Sequence, residues 1–434
     1  MVFPRKLKRN RKTRQVFLNC LPSEQNINIR GRTMKDKAKW DIQSRLVHSG
    51  SGIDFSNVRT PNPPIFQSSN YLYEDVEDGT DILVGKKPGY IYSRYSNPTV
   101  EVLNQVMAEI EGGEACLSFS SGLAAISSSI LSYCKPGDHI VASSLIYGGT
   151  YHLMQDQLAQ LGIDTTFVDP TDLKAVEKSI RPKTKILYAE PLANPTLVST
   201  NIFQWAEMAH NHKCKFLVDN TFTPPPIFSP LKAGADLVLH SATKYLGGHS
   251  DLIGGLVVGP LEEIERVRPQ LKYHGGIISP FVAWLLLRGI RTLGVRLERQ
   301  CKNALAIAKY LESNDNVEKV LYAGLPSNPQ FEYNKRHFNG YSGMLSFEVK
   351  GGFEAAKIVM QNLELIKFTV SLGDVSSLIS HPASASHVYL TPEERAAIGV
   401  TDGLLRLSVG IESGTDLISD LKNALGQLLE EVFG

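Results

Sequence analysis

The sequence contains few cysteines, almost no net charge and no long apolar run. Its five cysteines among 434 residues form no C-x-x-C pair. The pattern therefore predicts neither a disulfide framework nor a metal site, and it is typical of a protein of the reducing cytoplasm. No apolar run approaches the ~20 residues that a membrane-spanning helix needs. We expect a soluble cytoplasmic protein with no membrane partner.

Charge is distributed unevenly along the chain. Residues 1–39 carry twelve Lys or Arg against two acidic residues, a net charge of +10, and the remaining residues sum to −9. Such an acidic body argues against nucleic acid as the main partner. The basic extension over 1–33 fits a functional tail, a disordered solubilising tail, or a segment upstream of a natural start at Met34. We favour the last interpretation and expect the extension to be disordered.

Strand and helix patterns alternate through the middle of the chain. Short apolar runs predict strands at 115–119, 140–143, 165–168, 185–189, 216–219 and 236–240, and amphipathic runs predict helices at 98–111, 123–133, 151–161, 172–180 and 202–212. This alternation predicts an α/β fold with a mainly parallel sheet that helices cover on both faces.

After Gly276 the pattern changes to a smaller α+β arrangement. Residues 281–313 predict a long helix, followed by strands at 319–321, 344–349 and 404–409, helices near 353–362 and 416–432, and a loop-rich run at 370–392. The domain prediction is a basic extension (1–33), an aromatic-rich N-terminal arm that contacts a neighbouring subunit (34–96), a large α/β domain (97–295) and a C-terminal α+β domain (296–434).

The stretch 235–255 joins an apolar strand to a lysine and a glycine-rich turn. Ser241 and Thr243 flank Lys244, which leaves the strand where open α/β sheets hold ligands. Partial desolvation there lowers the pKa of a lysine and frees its amine for Schiff-base chemistry. An isolated lysine after a strand is more often a surface residue, so the surrounding sequence has to decide.

Two neighbouring segments supply that context. Asp219 ends an apolar strand, where a buried carboxylate needs a cationic or hydrogen-bonded partner, although a lone aspartate more often caps a helix. Residues 120–123 turn from a strand into a helix whose free N–H groups suit a phosphate, although small residues also cap helices for structural reasons. Together with Lys244 and an aromatic ring, Tyr147, these segments describe a pocket for pyridoxal 5′-phosphate.

Seven motifs carry a family resemblance, in order and without large insertions, from about residue 40 to the end. They are SATKYLGGHSD, VDNTF, FSSGLAA, YSRYSNPT, EPLANP, SLGD and LRLSVGIE. They resemble the Cys/Met-metabolism family of pyridoxal-phosphate enzymes, which includes methionine γ-lyase, cystathionine γ-lyase, cystathionine γ-synthase and O-acetylhomoserine sulfhydrylase. The resemblance implies a fold-type I transferase with a three-layer α/β domain, acting as a dimer that is usually paired into a homotetramer.

The resemblance also implies a role for each matching residue. Lys244 would bind the cofactor as a Schiff base and remove the substrate α-proton, Asp219 would pair with the ring nitrogen, and Tyr147 would stack on the ring and protonate the leaving group. The other implied contacts are with the phenolic oxygen (Asn194), with the phosphate (Gly122, Leu123, Ser241, Thr243 and, from a neighbouring subunit, Tyr92 and Arg94), and with the substrate carboxylate (Ser371, Arg406).

The implied reaction is γ-elimination from methionine or homocysteine first, and cystathionine next, giving 2-oxobutanoate, ammonia and a thiol. Gly149 stands where methionine γ-lyases usually have a cysteine, and Ser376 replaces a glutamate that could bind the distal amine of cystathionine. The alternative is γ-replacement on an acylated homoserine, as in cystathionine γ-synthase or the sulfhydrylases. A non-catalytic scaffold that binds the cofactor is a minor alternative, because Lys244, Asp219 and Arg406 are all present.

Overall fold

The computed structural model describes residues 40–52, 54–55, 58–388 and 390–431. The predictions for the basic extension and for a start at Met34 lie outside the described residues. Helices occupy Ile42–Val47, Val76–Leu83, Pro98–Glu111, Gly122–Tyr133, Gly148–His152, Leu173–Ser179, Ile202–Asn211, Leu261–His274, Pro280–Ile290, Leu293–Glu312, Phe331–His337, Gly352–Gln361, Pro392–Ala397 and Gly414–Glu431, with a π-helical segment over Leu153–Leu158 and 3-10 turns over Pro230–Ala233 and Pro382–Ser384. No helix in this part of the chain has the length and apolar content needed to cross a membrane.

The strands form one large sheet, one smaller sheet and a short N-terminal ribbon. In chain order they are β1 (Asp54–Phe55), β2 (Val58–Arg59), β3 (Ala115–Phe119), β4 (His139–Ser143), β5 (Asp164–Val168), β6 (Thr184–Ala189), β7 (Lys215–Asp219), β8 (Leu237–Ser241), β9 (Gly255–Gly259), β10 (Val317–Leu321), β11 (Met344–Val349), β12 (Lys367–Phe368), β13 (Leu378–Ser380) and β14 (Leu404–Ser408). The large sheet has the order β3-β9-β8-β7-β6-β4-β5, and the smaller sheet has the order β10-β11-β14-β13-β12. Strands β5, β4, β6, β7 and β8 run parallel, whereas β9 is antiparallel to both of its neighbours.

Both faces of the large sheet are buried. In β7, Phe216 and Val218 pack into one hydrophobic cluster and Leu217 packs into another. Alternate side chains of a strand point to opposite faces, so the two clusters lie on opposite sides of the sheet. The strands of a parallel sheet that is covered on both sides have continuous apolar sequences, and the strands of this sheet do too. The predicted α/β fold with a mainly parallel, doubly covered sheet is confirmed.

The helix Pro98–Glu111 shows how local sequence sets the limits of an element. The Asn97 side chain accepts the backbone N–H of Thr99 at 3.0 Å, and Pro98 occupies the first turn, where no N–H is needed. Gly112 then ends the helix in the left-handed region at φ 81°. These are standard start and stop signals, and both predicted boundaries of this helix are confirmed.

Several elements differ from the sequence predictions. Strand β9 and the helix Leu261–His274 were not predicted, β13 lies inside the predicted loop run, the predicted helix 151–161 is π-helical over Leu153–Leu158, and the predicted helix 281–313 is interrupted at Arg291–Thr292. Strands of three to five residues are too short to show a clear period. The helix Leu261–His274 carries a proline inside it and buries only three residues, so its apolar face is sparse.

The helix Leu293–Glu312 connects the two sheets. It packs against the smaller sheet and against the C-terminal helix. Its buried residue Arg296 donates a hydrogen bond of 2.8 Å to the carbonyl of Tyr245, in the turn that follows β8 of the large sheet. The predicted domain boundary at 295/296 falls inside this helix, and the division into an arm and two domains stays a proposal.

Candidate active site

Three neighbouring parallel strands deliver polar residues to one edge of the large sheet. Glu190 follows β6, Asp219 ends β7, and Lys244 lies in the turn after β8, which itself ends at Ser241. Strand β7 pairs with β6 on one side and with β8 on the other. The carboxyl ends of parallel strands meet at the same edge, which is where open α/β sheets bind ligands. The site is therefore built around this edge.

Lys244 is held in a buried position beside the loop between β12 and β13 of the smaller sheet. Its Nζ donates a hydrogen bond of 3.3 Å to Oγ of Ser371. Burial lowers the pKa of Lys244, the nearby guanidinium of Arg406 contributes a smaller part, and together they bring it to about 8. A lysine with this pKa is about half uncharged at pH 8, and the uncharged amine is the form that acts as a nucleophile or a base.

The loop that carries Ser371 lies directly on the backbone of the Lys244 turn. Gly373 adopts φ +77°, and a Cβ atom there would lie 2.6 Å from the backbone nitrogen of Tyr245. Only glycine permits both this conformation and this approach. The N–H of Gly373 also donates to Oγ of Ser408 at 2.8 Å. The loop is thereby fixed between β14 and the lysine turn, which brings Ser371 next to Lys244.

Arg406 lies in β14 and is 5% exposed. Its guanidinium donates to Oδ1 of Asn194 at 3.0 Å and to the carbonyls of Val370 and Ser371 at 3.0 and 3.2 Å. Burial lowers the pKa of Arg406 to about 10, and its Nε is buried without a hydrogen-bond partner. These acceptors are neutral, so the guanidinium can still pair with an anion.

Asp219 is 6% exposed and is surrounded by neutral hydrogen-bond donors. One carboxylate oxygen accepts the N–H and the hydroxyl of Thr221 at 3.0 and 2.5 Å, and the other accepts the hydroxyl of Tyr188 at 3.5 Å. Burial raises the pKa of Asp219, and the hydrogen bonds from Thr221 oppose that rise. A cationic ligand group would complement this carboxylate.

Thr221 was not singled out from the sequence, yet it links two strand ends. Its hydroxyl donates to Asp219 and accepts the backbone N–H of Ser241 at 2.8 Å. A hydroxyl residue two positions after an aspartate at a strand end is a common side-chain turn, and this signal could have identified it.

The start of the helix Gly122–Tyr133 packs directly against Ser241. A Cβ atom on Gly122 would lie 2.9 Å from the Cβ of Ser241, so only glycine fits between the helix and the strand end. Gly122 and Leu123 form the first turn, whose N–H groups have no partner within the helix. This turn and the Ser241 hydroxyl can together surround an anion.

Thr243 has a structural contact in the same turn. Its Oγ1 accepts the N–H of Gly254 at 3.1 Å, which closes the glycine-rich loop back on the lysine turn. The hydroxyl proton is directed at the carbonyl of Gly254 at the longer distance of 3.4 Å. The predicted role of Thr243 as a phosphate ligand stays a prediction.

Tyr147 begins the helix Gly148–His152, and its side chain is 44% exposed. Its backbone N–H donates to Oε1 of Glu190 at 2.7 Å. Glu190 was not among the predicted site residues, although the strand-end rule that identified Asp219 applies equally to it. Glu190 could have been identified because it directly follows the last residue of β6 and begins the EPLANP motif.

Tyr92 and Arg94 lie apart from the other predicted residues in the contacts that this chain makes. The Arg94 guanidinium donates to the carbonyl of Lys272 at 2.5 Å and lies over the ring of Tyr95 at 4.8 Å. Tyr92 is exposed. The structure of one chain does not bring these two residues together with Lys244, which leaves their predicted role across a subunit boundary as a proposal.

The residues at this edge fit pyridoxal 5′-phosphate. The glycine-lined helix start and Ser241 suit its phosphate, the buried Asp219 with only neutral partners suits a protonated ring nitrogen, and the buried amine of Lys244 suits its aldehyde. Asn194, whose side chain is oriented by Arg406, lies next to β6 on the same edge. The donor set therefore matches each functional group of the cofactor.

Comparison with known proteins agrees with this chemistry. The family model described as Cys/Met metabolism PLP-dependent enzyme matches residues 43–426. The chain is 43% identical over 401 residues to the L-methionine gamma-lyase of Treponema denticola, which covers 91% of this chain and 99% of that protein. It is 39% identical over 400 residues to the O-succinylhomoserine sulfhydrylase of Pseudomonas aeruginosa, which covers 90% of this chain and 99% of that protein.

A solved structure extends the similarity to the fold. The crystal structure of cystathionine gamma-lyase from Lactobacillus plantarum complexed with L-serine matches with a TM-score of 0.84 at 37% identity, covering 89% of this chain and 99% of that chain. The predicted fold class, family and cofactor are confirmed by these matches. The chain belongs to the Cys/Met metabolism family of pyridoxal-phosphate-dependent enzymes.

Proposed function

We propose that this enzyme is a carbon–sulfur lyase that catalyses γ-elimination from methionine or homocysteine, and next from cystathionine, releasing 2-oxobutanoate, ammonia and a thiol. The observation that carries the proposal is the buried amine of Lys244 beside Arg406, with a pKa of about 8. A base and an anion-binding guanidinium held together suit removal of a proton next to a carboxylate.

Bound pyridoxal phosphate supplies an electron sink that acidifies the α-hydrogen of an amino acid attached to it. Lys244 accepts that proton on Nζ, and burial favours the uncharged form that this step needs. Asp219 holds a negative charge against the ring nitrogen, and Thr221 stabilises this charged form through two hydrogen bonds. The protein thus provides the base and the charge that makes the sink effective.

Arg406 and Ser371 bind and orient the substrate carboxylate. Asn194 and two backbone carbonyls hold the guanidinium in one orientation while leaving Nε free. A planar guanidinium can then meet a carboxylate with two parallel hydrogen bonds. A carboxylate bound there would lie near the amine of Lys244, because Ser371 contacts both the guanidinium and Nζ.

Tyr147 donates a proton to the leaving sulfur. Tyr147 is partly exposed, so a thiol that departs beside its ring has a path to solvent. Gly149 leaves room for this ring, because a Cβ atom at that position would lie 2.5 Å from ring carbon Cε1. The position that usually holds cysteine in methionine γ-lyases is therefore filled here by the tyrosine ring itself.

Ser376, which bears on cystathionine recognition, contacts a buried carboxylate of its own loop. Asp374 is buried and accepts hydrogen bonds from Ser250 at 2.5 Å and from the hydroxyl of Ser376 at 2.6 Å. Ser376 thus contributes to loop structure and offers no carboxylate for a distal amine. This arrangement supports ranking methionine and homocysteine ahead of cystathionine, with γ-replacement on an acylated homoserine as the alternative.

We also propose that the active unit is a dimer, paired into a homotetramer, in which Tyr92 and Arg94 complete the phosphate site of the neighbouring subunit. Mixing an Arg94→Ala variant with a Lys244→Ala variant tests this directly. If Arg94 acts across the boundary, a hybrid dimer contains one site with both residues intact, so activity returns on mixing. Activity that stays absent in verified hybrids would contradict the shared site.

We propose a cytoplasmic location. Four cysteines are free in the described part of the chain, and three of them are buried (Cys116, Cys134 and Cys214). Free thiols are typical of reducing compartments.

One assay tests the proposed reaction. The purified holoenzyme is supplied in parallel with methionine, homocysteine, cystathionine and O-acetylhomoserine, with and without an added thiol, and 2-oxobutanoate and thioether products are measured. We expect 2-oxobutanoate release to be fastest from methionine or homocysteine. Thioether formation from O-acetylhomoserine as the dominant reaction would support γ-replacement instead. Retained cofactor without turnover of any substrate would support the scaffold alternative.

A further inference from the structure

Glu190 is a buried carboxyl group at the same edge of the large sheet as Asp219 and Lys244. It is 5% exposed and directly follows the last residue of β6. Its Oε1 accepts the backbone N–H of Tyr147 at 2.7 Å. This side chain therefore joins the backbone of the residue that would stack on the cofactor ring to the end of β6.

Glu190 and Asp219 are neighbours on the sheet edge. Strands β6 and β7 are parallel, with Ala189 paired to Val218, so the next residue of each strand lies side by side. Two carboxylates held close together in a buried site cannot both ionise without a large cost. Thr221 gives Asp219 two hydrogen bonds that favour its charged form, whereas Glu190 has one bond, from a backbone N–H.

The other groups around this pair do not remove the conflict. Tyr188 of β6 directs its hydroxyl at Asp219, and His240 of β8 contributes positive charge toward Asp219 when protonated. Burial and the proximity of Asp219 both raise the pKa of Glu190. Of the two carboxyl groups, Asp219 therefore has more contacts that favour its charged form.

We propose that Glu190 is a positioning residue that keeps its proton in the active enzyme: its neutral carboxyl group holds the backbone of Tyr147 in place and leaves Asp219 as the one charged carboxylate. This inference rests on the proposed roles of Tyr147 and Asp219. A neutral acid can accept a hydrogen bond through its carbonyl oxygen, so protonation does not require loss of the Tyr147 contact.

Two substitutions separate a neutral positioning role from a charged one. Glu190→Gln keeps the size and the acceptor oxygen and can never be charged, whereas Glu190→Ala removes the contact. Glu207→Gln, on the exposed face of the helix Ile202–Asn211, is the matched control for loss of a glutamate. Three quantities are measured: the dissociation constant for pyridoxal phosphate, hydrogen exchange of the Tyr147 amide in the cofactor-free protein, and the pH profile of kcat.

We expect the Gln variant to match the parent enzyme and the Glu207→Gln control in all three measurements. The Ala variant should lose up to about tenfold in cofactor affinity and exchange the Tyr147 amide up to about tenfold faster, which is the effect of losing one buried hydrogen bond. The first two measurements need no substrate. They therefore remain valid if the parent enzyme fails to release 2-oxobutanoate, which separates failure of this inference from failure of the proposed reaction.

Two outcomes overturn the inference. If the Gln variant loses as much as the Ala variant, or shifts the pH profile, Glu190 acts as a charged carboxylate. If the Ala variant matches the parent enzyme, Glu190 does not position Tyr147. Should the Ala variant fail to fold, the Gln variant decides alone: parental behaviour supports the neutral acid, and any loss contradicts it.

Discussion

Burial shifts the pKa values of the cationic and the acidic residues of the site in opposite directions. On one side, Lys244 and Arg406 have pKa values lowered to about 8 and about 10. On the other side, Asp219 and Glu190 have raised pKa values. In each case the largest cause is burial, which disfavours whichever form is charged. The two sides are therefore biased toward neutrality for the same physical reason.

The two sides differ in their hydrogen-bond partners. The cationic side donates to neutral oxygens of Ser371 and Val370, in the loop between β12 and β13, and of Asn194, next to β6 of the large sheet. The carboxylate side accepts from N–H and O–H groups at the edge of the large sheet, including those of Thr221. A ligand that is cationic at one end and anionic at the other would relieve both sides together. This polarity suits a cofactor with a protonated ring that carries an amino acid with a free carboxylate.

Removing the amine of Lys244 should have the largest effect on this arrangement. Lys244→Ala removes the proposed base, and loss of general-base catalysis alone costs about 10²–10⁴-fold in rate. We expect kcat for 2-oxobutanoate release to fall by at least this factor, while the far-UV circular dichroism spectrum and melting temperature stay near those of the parent. Lys232→Ala, on an exposed 3-10 turn, is the control. Ordinary turnover by Lys244→Ala would refute the assignment.

Changing the shape of the second cation, and not its charge, should have a smaller effect. Arg406→Lys keeps a positive charge in β14 but cannot form two parallel hydrogen bonds to a carboxylate. Loss of a charged hydrogen bond costs about 1.5–3 kcal/mol, so we expect kcat/KM to fall by roughly 10–150-fold. Steady-state kinetics with methionine measures this, and cofactor affinity should change little. An unaltered KM would show that the carboxylate binds elsewhere.

The smallest expected effect is a change in how the reactivity of the Lys244 amine depends on pH. In the cofactor-free protein its amine should become reactive as pH rises through about 8, since the ammonium form cannot attack an aldehyde. We expect the rate of borohydride-trapped attachment of pyridoxal phosphate to rise with a midpoint near this pH. Replacing Arg406 with methionine should raise the midpoint, because the neighbouring positive charge contributes to the lowered pKa. A midpoint that does not move would mean that burial acts alone.

The lowered pKa of Lys244 also makes the free energy of unfolding depend on pH. The pKa of Lys244 is lower in the folded state than its ordinary value of 10.5, so between about pH 8 and that value the unfolded chain binds more protons. The contribution of this group to the free energy of unfolding therefore rises with pH across that range. Denaturant titrations of the cofactor-free protein and of Lys244→Met at several pH values would isolate it.

Sequence reasoning located the ends of individual strands well. Apolar runs that stop at a polar residue predicted that Asp219 ends a strand and that Lys244 follows one, and both lie at the same edge of the large sheet. Arg406 stands inside the apolar run 404–409, which predicted a strand, and it is buried there. These predictions succeeded because a buried strand leaves a local signal that does not depend on its neighbours.

The same reasoning missed contacts that depend on which strands are adjacent. Glu190 follows a strand as Asp219 ends one, but its importance appears only when β6 is seen to lie beside β7 and its carboxyl group to reach the backbone of Tyr147. Strand β9 was missed for a related reason. It is short, and its antiparallel insertion between β3 and β8 is set by partners distant in sequence.

The sequence by itself determined the layered α/β architecture, the family and the residue types that the cofactor needs, because strand period, helix caps and collinear motifs are local properties of a chain. Tertiary structure alone decided which charges face one another. The separation of Lys244 and Arg406 from Asp219 and Glu190, and the directions of their pKa shifts, arise from burial and from distances between segments up to about two hundred residues apart. Such distances are set by packing, since no local pattern in the sequence encodes them.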